Sequence, residues 1–291
     1  MRLPWVTKRL GAQETLQKRS NIVDHSTVYG EGIRLERVSL KTGVELHYAE
    51  RGIRGRQTML FLHGYADSWH SFERVFAALP RKYPALAPDL RGHGDSDKPA
   101  PPYTLEVFTE DLLQFMNALE LETVDLVGHS MGSLVAQSFA ARHPERVGKL
   151  VLISSAASML DNSVLNQIKP SIEALRDPVD RGFVLEFQTP SNPVPEAFMQ
   201  DLISESLKVP AHVWKGVLAG LLRVDNRSAL PCITAPTLVL WGNEDSIFTR
   251  KDQNDLLERI TDSRFIEYTA GHAPHWEKPD EVAADLINFL D

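Results

Sequence analysis

Thr123-Val124-Asp125-Leu126-Val127-Gly128-His129-Ser130-Met131-Gly132 is the stretch whose reading decides the fold. Its first five residues are mostly β-branched and apolar, the composition of a buried strand. Beyond Gly132, the run from Leu134 to Arg142 is rich in helix formers and stops ahead of Pro144, so a helix follows. A serine between two glycines at a strand-to-helix turn is the nucleophile-elbow arrangement. Such a turn is so tight that only glycine tolerates the backbone approach on either side of the serine. The hydroxyl is held above the sheet, at a helix N-terminus whose dipole favours developing negative charge.

Strand and helix signals alternate outward from the elbow. Leu35–Leu40 and Val44–Glu50 flank Thr42-Gly43 and read as a hairpin. Thr58-Met59-Leu60-Phe61-Leu62 is an apolar run, as a strand covered on both faces requires, and it leads into His63-Gly64-Tyr65-Ala66. A helix over Ser71–Lys82 and a strand over Ala85–Asp89 come next. Thr104 is placed to cap a helix whose apolar positions 105, 108, 112, 116 and 119 keep a helical period. Leu150–Ile153 is a further strand. This alternation predicts a mostly parallel sheet with helices on both faces.

The rhythm breaks between about Ala157 and Cys232, where prolines at 170, 178, 190, 193, 195 and 210 punctuate helix-like pieces such as Val164–Leu175 and Glu196–Leu207. A helical insertion is the reading. Strands resume at Pro236–Trp241 and Arg264–Tyr268. A last helix starts at Pro279 and keeps Val282, Leu286, Phe289 and Leu290 on one face. The chain thus divides into an N-terminal arm (1–34), a core (35–157 and 233–291) and a helical cap (158–232).

At 291 residues, 43% hydrophobic and 24% charged, the chain can bury a large core without metals or disulfides. A net charge of −8 argues against a nucleic-acid partner. The single Cys232, between Pro231 and Ile233, cannot form an internal disulfide and reads as a buried, inert thiol. No apolar run reaches the ~18 residues that span a bilayer, so no stable membrane insertion is expected. The start, Met1 to Arg9, lacks the apolar centre of a secretory signal, which makes a cytoplasmic location the expectation. Residues 1–33 show no sustained period and read as disordered, or as an arm laid on the body or on a partner subunit. This arm and the cap are the candidate surfaces for a homodimer. No zinc-type spacing and no phosphate-binding glycine loop occurs, so neither metal nor cofactor is expected.

A serine hydroxyl is a poor nucleophile at neutral pH and needs a base within hydrogen-bond reach, itself oriented by an acid. Loops that leave strands downstream of Ser130 offer Asp245 in Trp241-Gly242-Asn243-Glu244-Asp245 and His272 in Ala270-Gly271-His272-Ala273-Pro274-His275. Open α/β sheets place their sites at such strand ends. Glu244 is an alternative acid and His275 an alternative base.

Five segments together resemble the α/β-hydrolase superfamily over nearly all of 35–291. They are His63-Gly64, Asp89-Leu90-Arg91-Gly92-His93-Gly94-Asp95-Ser96, the elbow, Gly242-Asn243-Glu244-Asp245, and Gly271-His272 followed by Glu277-Lys278-Pro279. The resemblance implies an α/β-hydrolase fold: an eight-stranded, mostly parallel sheet with its second strand antiparallel, helices on both faces, and a cap inserted after the sixth strand. It implies a catalytic set of Ser130, Asp245 and His272, favouring Asp245 over Glu244 and His272 over His275. It also implies an oxyanion hole of the backbone amides of Tyr65 and Met131. His63, His93, Asp95 and His129 are given structural work. Epoxide hydrolases and haloalkane dehalogenases of this superfamily carry aspartate where Ser130 stands. The implied activity is therefore hydrolysis of small to medium carboxylic esters through an acyl-enzyme. Perhydrolase, lactonase, acyltransferase and C–C bond hydrolase chemistry are the alternatives. Trp69, Phe183, Phe187 and His275 are the candidate pocket residues, suited to an apolar acyl or alcohol part.

Overall fold

The computed structural model describes residues 27–29, 32–53 and 57–291. Residues 1–26 of the expected arm lie outside the described residues. Nine strands form one sheet: β1 (Thr27–Tyr29), β2 (Ile33–Ser39), β3 (Glu45–Arg51), β4 (Thr58–Leu62), β5 (Ala85–Pro88), β6 (Val124–His129), β7 (Val147–Ile153), β8 (Thr237–Gly242) and β9 (Ser263–Tyr268). Their order is β1-β2-β3-β5-β4-β6-β7-β8-β9. β3 runs antiparallel to both β2 and β5, and every pair from β5 to β9 is parallel. β2 to β9 are the eight strands expected, with the second antiparallel. β1 adds a short antiparallel edge, so pairing begins ahead of residue 35.

The apolar strands are covered on both faces, and the two-residue period sorts their side chains. Leu60 and Leu62 of β4, Leu126 of β6 and Leu150 and Leu152 of β7 enter one core. Met59, Phe61, Val127, Val151 and Ile153 enter the other. Helices α2 (Leu105–Ala118), α3 (Met131–Arg142) and α8 (Arg250–Arg259) close the first face. Helices α1 (Glu73–Ala78) and α10 (Pro279–Leu290) close the second. Phe61 is fully buried between Phe72 and Phe76, and truncating such a ring costs about 3–5 kcal/mol.

Between β7 and β8 the chain leaves the core to form α4 (Ser163–Glu173), α5 (Arg181–Gln188), α6 (Glu196–Leu207) and α7 (Ala211–Leu221). Asn162 and Asp180 cap α4 and α5 through their side chains, and Pro195 and Pro210 stand immediately ahead of α6 and α7. Ser158 and Asp225 pair as an antiparallel bridge where this insertion departs and returns. Next to the bridge, Asn226 Nδ2 donates to the Leu134 carbonyl (3.1 Å) and to Gln137 Oε1 (3.0 Å), fastening the neck to α3.

Three local expectations are corrected. The helix after Ser71 is shorter, because Trp69–Phe72 takes a 3-10 turn and α1 spans only six residues. Thr104 stands at the N-cap of α2 but makes no cap hydrogen bond; its hydroxyl engages the Glu106 carboxylate instead. Cys232 is exposed, since the 3-10 turn Leu230–Cys232 sends Leu230 inward and the thiol out. Among the described residues no helix is long and apolar enough to cross a membrane.

Candidate active site

Ser130 joins β6 to α3 with φ 50° and ψ −117°, a left-handed backbone that a non-glycine residue adopts only when its surroundings impose it. Its neighbours explain the imposition. A Cβ on Gly132 would lie 2.2 Å from the Leu62 carbonyl oxygen, and one on Gly128 would lie 2.5 Å from the Gly132 oxygen. The elbow is therefore pressed onto the end of β4. Below it, Ser133 Oγ donates to the Ser130 carbonyl (2.5 Å) and accepts from Ser155, which also receives Gln137 Nε2 (2.8 Å).

His272 follows β9, and its Nε2 lies 2.9 Å from Ser130 Oγ. Its Nδ1 lies 2.9 Å from Asp245 Oδ2 in the loop after β8. The Asp245 carboxylate is wholly shielded from solvent, and its other oxygen accepts the Ile247 (2.8 Å) and Phe248 (3.2 Å) amides. A carboxylate fixed in this way accepts from Nδ1–H, leaving Nε2 as the acceptor for the serine proton. The three expected residues are brought together. Glu244 is exposed and receives Asn192 Nδ2 (2.8 Å), away from the histidine.

The glutamate of the Glu277-Lys278-Pro279 segment has a physical job. Its Oε2 accepts the Gly271 amide (3.0 Å) and Asn192 Nδ2 (2.7 Å), holding the peptide just ahead of His272. His129 Nε2–H donates to the His272 carbonyl (3.0 Å) on the other side. Burial, and then the neighbouring His275 and His272, push the pKa of His129 well below the usual histidine range.

The His63-Gly64 loop closes over the elbow: a Cβ on Gly64 would stand 3.5 Å from Ser130 Cβ. His63 accepts the Leu90 amide at Nε2 (2.9 Å), so its Nδ1–H donates to the Gly64 carbonyl (2.8 Å), and burial keeps the ring neutral. His93 donates Nδ1–H to the Arg91 carbonyl (2.9 Å), and burial drives its pKa down to about 3. Asp95 pairs with Lys208 of the cap (2.8 Å). All four residues expected to be structural bind backbone or other loops. Asp95 also approaches His47 and Asp89, the one metal-like grouping among the described residues. There, the His47 ring and the Lys208 ammonium already occupy the carboxylates.

Met131, the first residue of α3, has an amide that no helical carbonyl can reach, and it borders the same cavity as Tyr65. That cavity holds about 600 Å³ over Ser130 and His272. Phe183 and Phe187 line it as expected. Trp69 and His275 do not. Trp69 is 1% exposed and packs into the second core with its amide on Asp89 Oδ1 (2.8 Å). His275 is fully buried, lies against Phe72, and meets Ser71 Oγ at 3.0 Å. The 3-10 turn after the His63-Gly64 loop rotates Trp69 inward, and α9 (Pro274–Glu277) does the same to His275.

Among the residues not foreseen, Met159, Leu165 and Ile168 supply an apolar wall from the cap, and Phe248 supplies one from the loop behind Asp245. Asp67 is the other omission. It is 2% exposed, and its carboxylate accepts the Ser68 amide (2.9 Å) and the Ser71 hydroxyl. Burial nevertheless lifts its pKa to about 7. With the Ser71 proton committed to Asp67, Ser71 Oγ accepts from Trp276 Nε1–H (2.8 Å) and His275 Nε2–H. One hydroxyl thereby ties the loop after β4 to the loop that carries His272. A carboxylate two residues after Tyr65 was the sequence signal available for it.

A family model described as alpha/beta hydrolase fold matches residues 57–279. Epoxide hydrolase 4 of Mus musculus is 27% identical over 286 residues, covering 86% of this chain and 76% of that protein. Among solved structures, a hydrolase from Pseudomonas aeruginosa PA01 aligns with a TM-score of 0.78 at 25% identity, over 88% of this chain and 98% of its own. An esterase from Exiguobacterium antarcticum aligns with a TM-score of 0.80 at 22% identity, over 87% and 98%. The family model spans most of the sheet, the elbow and both loops that meet at Ser130: the chain belongs to the alpha/beta hydrolase family of enzymes.

Proposed function

We propose that this enzyme hydrolyses carboxylic esters through an acyl-enzyme on Ser130. The supporting observation is the unbroken line of hydrogen bonds from Ser130 Oγ through His272 to Asp245, at the floor of a largely apolar cavity. His272 Nε2 takes the hydroxyl proton as Oγ bonds to the ester carbonyl carbon. The carbonyl oxygen gathers negative charge, received by the amides of Tyr65 and Met131. As the tetrahedral adduct collapses, the C–O bond to the alcohol breaks and the alcohol leaves with the proton from His272. Water then attacks the acyl-serine ester with the same ring as base, releasing the acid and restoring Ser130.

The nucleophile's identity separates this from epoxide opening. An aspartate that attacks an epoxide forms an ester, which water can cleave. A serine would form an ether, which offers no carbonyl to the second step. Lactones, thioesters and peroxide as an alternative acceptor fit the same cycle.

A fluorophosphonate probe with a p-nitrophenyl ester series tests the reading. Labelling at Ser130 and turnover, both lost in Ser130→Ala, is the expected result. Folded wild-type protein that neither labels nor turns over any ester would overturn it.

A further inference from the structure

The walls of the cavity carry an electrostatic asymmetry. No lysine or arginine is among the described residues that line it, whereas Asp67 and Glu186 are. Its two histidines, His129 and His272, are spoken for: one is held neutral by burial, and the other serves Ser130 and Asp245. Cap cations lie elsewhere. Lys208 bridges Glu205 (2.7 Å) and Asp95 (2.8 Å), and Arg181 is bound to Gln200.

Glu186 sits on α5 between the two aromatic residues of the wall. It neighbours Phe187 in sequence and stands three positions from Phe183, on adjoining parts of the helix surface. It is exposed and makes no hydrogen bond or ion pair among the described residues. Phe183 and Phe187 stack with ring centroids 6.2 Å apart and close against Trp214. Aromatic faces beside an unpaired carboxylate attract an ammonium group through ring quadrupole and charge together. An anion entering the same space gives up its hydration and meets no compensating charge.

We propose that the cavity selects its ester by charge, accepting neutral and ammonium-bearing donors and rejecting carboxylate-bearing ones, with Glu186 beside Phe183 and Phe187 receiving the cation. The inference rests on the ester reading and narrows it to a substrate class. Asp67, the buried carboxylate of the same lining, works in the same sense. A cation bound nearby favours its ionised form, and a carboxylate bound nearby would oppose it.

Three butyrate esters with the same two-carbon spacer test the charge order: choline butyrate, its uncharged isostere 3,3-dimethylbutyl butyrate, and 2-carboxyethyl butyrate. The choline ester should exceed the isostere in kcat/KM by about five-fold, and Glu186→Gln should bring the two level. The carboxylate ester should fall at least about ten-fold below the isostere in the wild type. Turnover of the isostere without this order, or with the carboxylate ester preferred, would overturn the charge selection and leave the ester reading standing. No turnover of any neutral ester would overturn the ester reading itself. A binding arm decides the charge question even then. Choline and 3,3-dimethylbutanol are titrated calorimetrically into Ser130→Ala and Ser130→Ala/Glu186→Gln. Tighter choline binding, lost with Glu186, supports the proposal, and equal affinities overturn it.

Discussion

The hydroxyl of Ser206 in the cap donates to the carbonyl of Ala66 at 2.6 Å, and Gln188 Nε2 reaches the same oxygen at 3.2 Å. Ala66 is held at φ 57°, and the Tyr65 hydroxyl bonds the Trp214 carbonyl at 2.5 Å. The cap thus grips the loop whose Tyr65 amide is proposed to receive the oxyanion. Ser206→Ala combined with Gln188→Leu should lower kcat about ten- to a hundred-fold, equally for short and long acyl chains. Phe183→Ala should instead change KM with acyl length and spare kcat for the shortest ester. A p-nitrophenyl series from acetate to octanoate, run on both variants, separates the two patterns.

His272→Ala should reduce kcat by a factor on the order of 10³ or more while leaving the melting temperature near wild type. His275→Ala should do the reverse. Its ring is fully buried and hydrogen-bonded to Ser71, so its loss should cost about 1–3 kcal/mol of stability with little change in KM. Turnover and thermal unfolding measured on the same preparations check both outcomes.

Gly132→Ala would drive a methyl group to 2.2 Å from the backbone oxygen of Leu62, where no flexible side chain can yield. The expected penalty is about 3 kcal/mol or more, a fall of roughly 5 °C or more in Tm, together with loss of fluorophosphonate labelling. A thermal scan paired with labelling tests it.

Acid should destabilise the fold. His63, His93, His129 and His275 are all buried, with pKa values pushed below the unfolded range by burial. Below about pH 6.5 the unfolded chain takes up protons that the folded chain refuses, so stability falls as pH drops. Each ring contributes up to about 1.4 kcal/mol per pH unit in that range. Asp67 and Asp125, raised to about 7 and about 6, have the opposite sign. Each stabilises the fold at low pH, and that contribution is lost as pH rises through the raised value. Urea unfolding at pH 7.5, 6 and 5 should show a net fall, and Asp67→Asn should steepen it.

Ser130, Asp245 and His272 were legible because each occupies a strand end marked by local chemistry: a glycine-flanked turn, a short polar loop, and a glycine ahead of a histidine. The cap was legible only as an interruption. Which of its side chains reach the cavity depends on how α4 packs on α7 and α5 on α6, a tertiary matter that no local period encodes. Trp69 and His275 show the same limit from the other side. Both stand near motif residues, yet a 3-10 turn and a one-turn helix rotate them into the core. Helix α8 went unread because its apolar positions are sparse. The capping box of Thr249 and Asp252 fixes its start instead.

The pairing of Ser158 with Asp225 makes the cap an insertion whose two ends lie one strand spacing apart. A segment joined to its host through so narrow a gap can be lengthened, shortened or exchanged while the strands keep their register. An evolving or engineered lineage can therefore change what enters the cavity by replacing 159–224 as a cassette. Any replacement inherits two obligations from its predecessor: a hydroxyl or amide donor that reaches the carbonyl of Ala66, and an amide donor for Glu277 where Asn192 now stands.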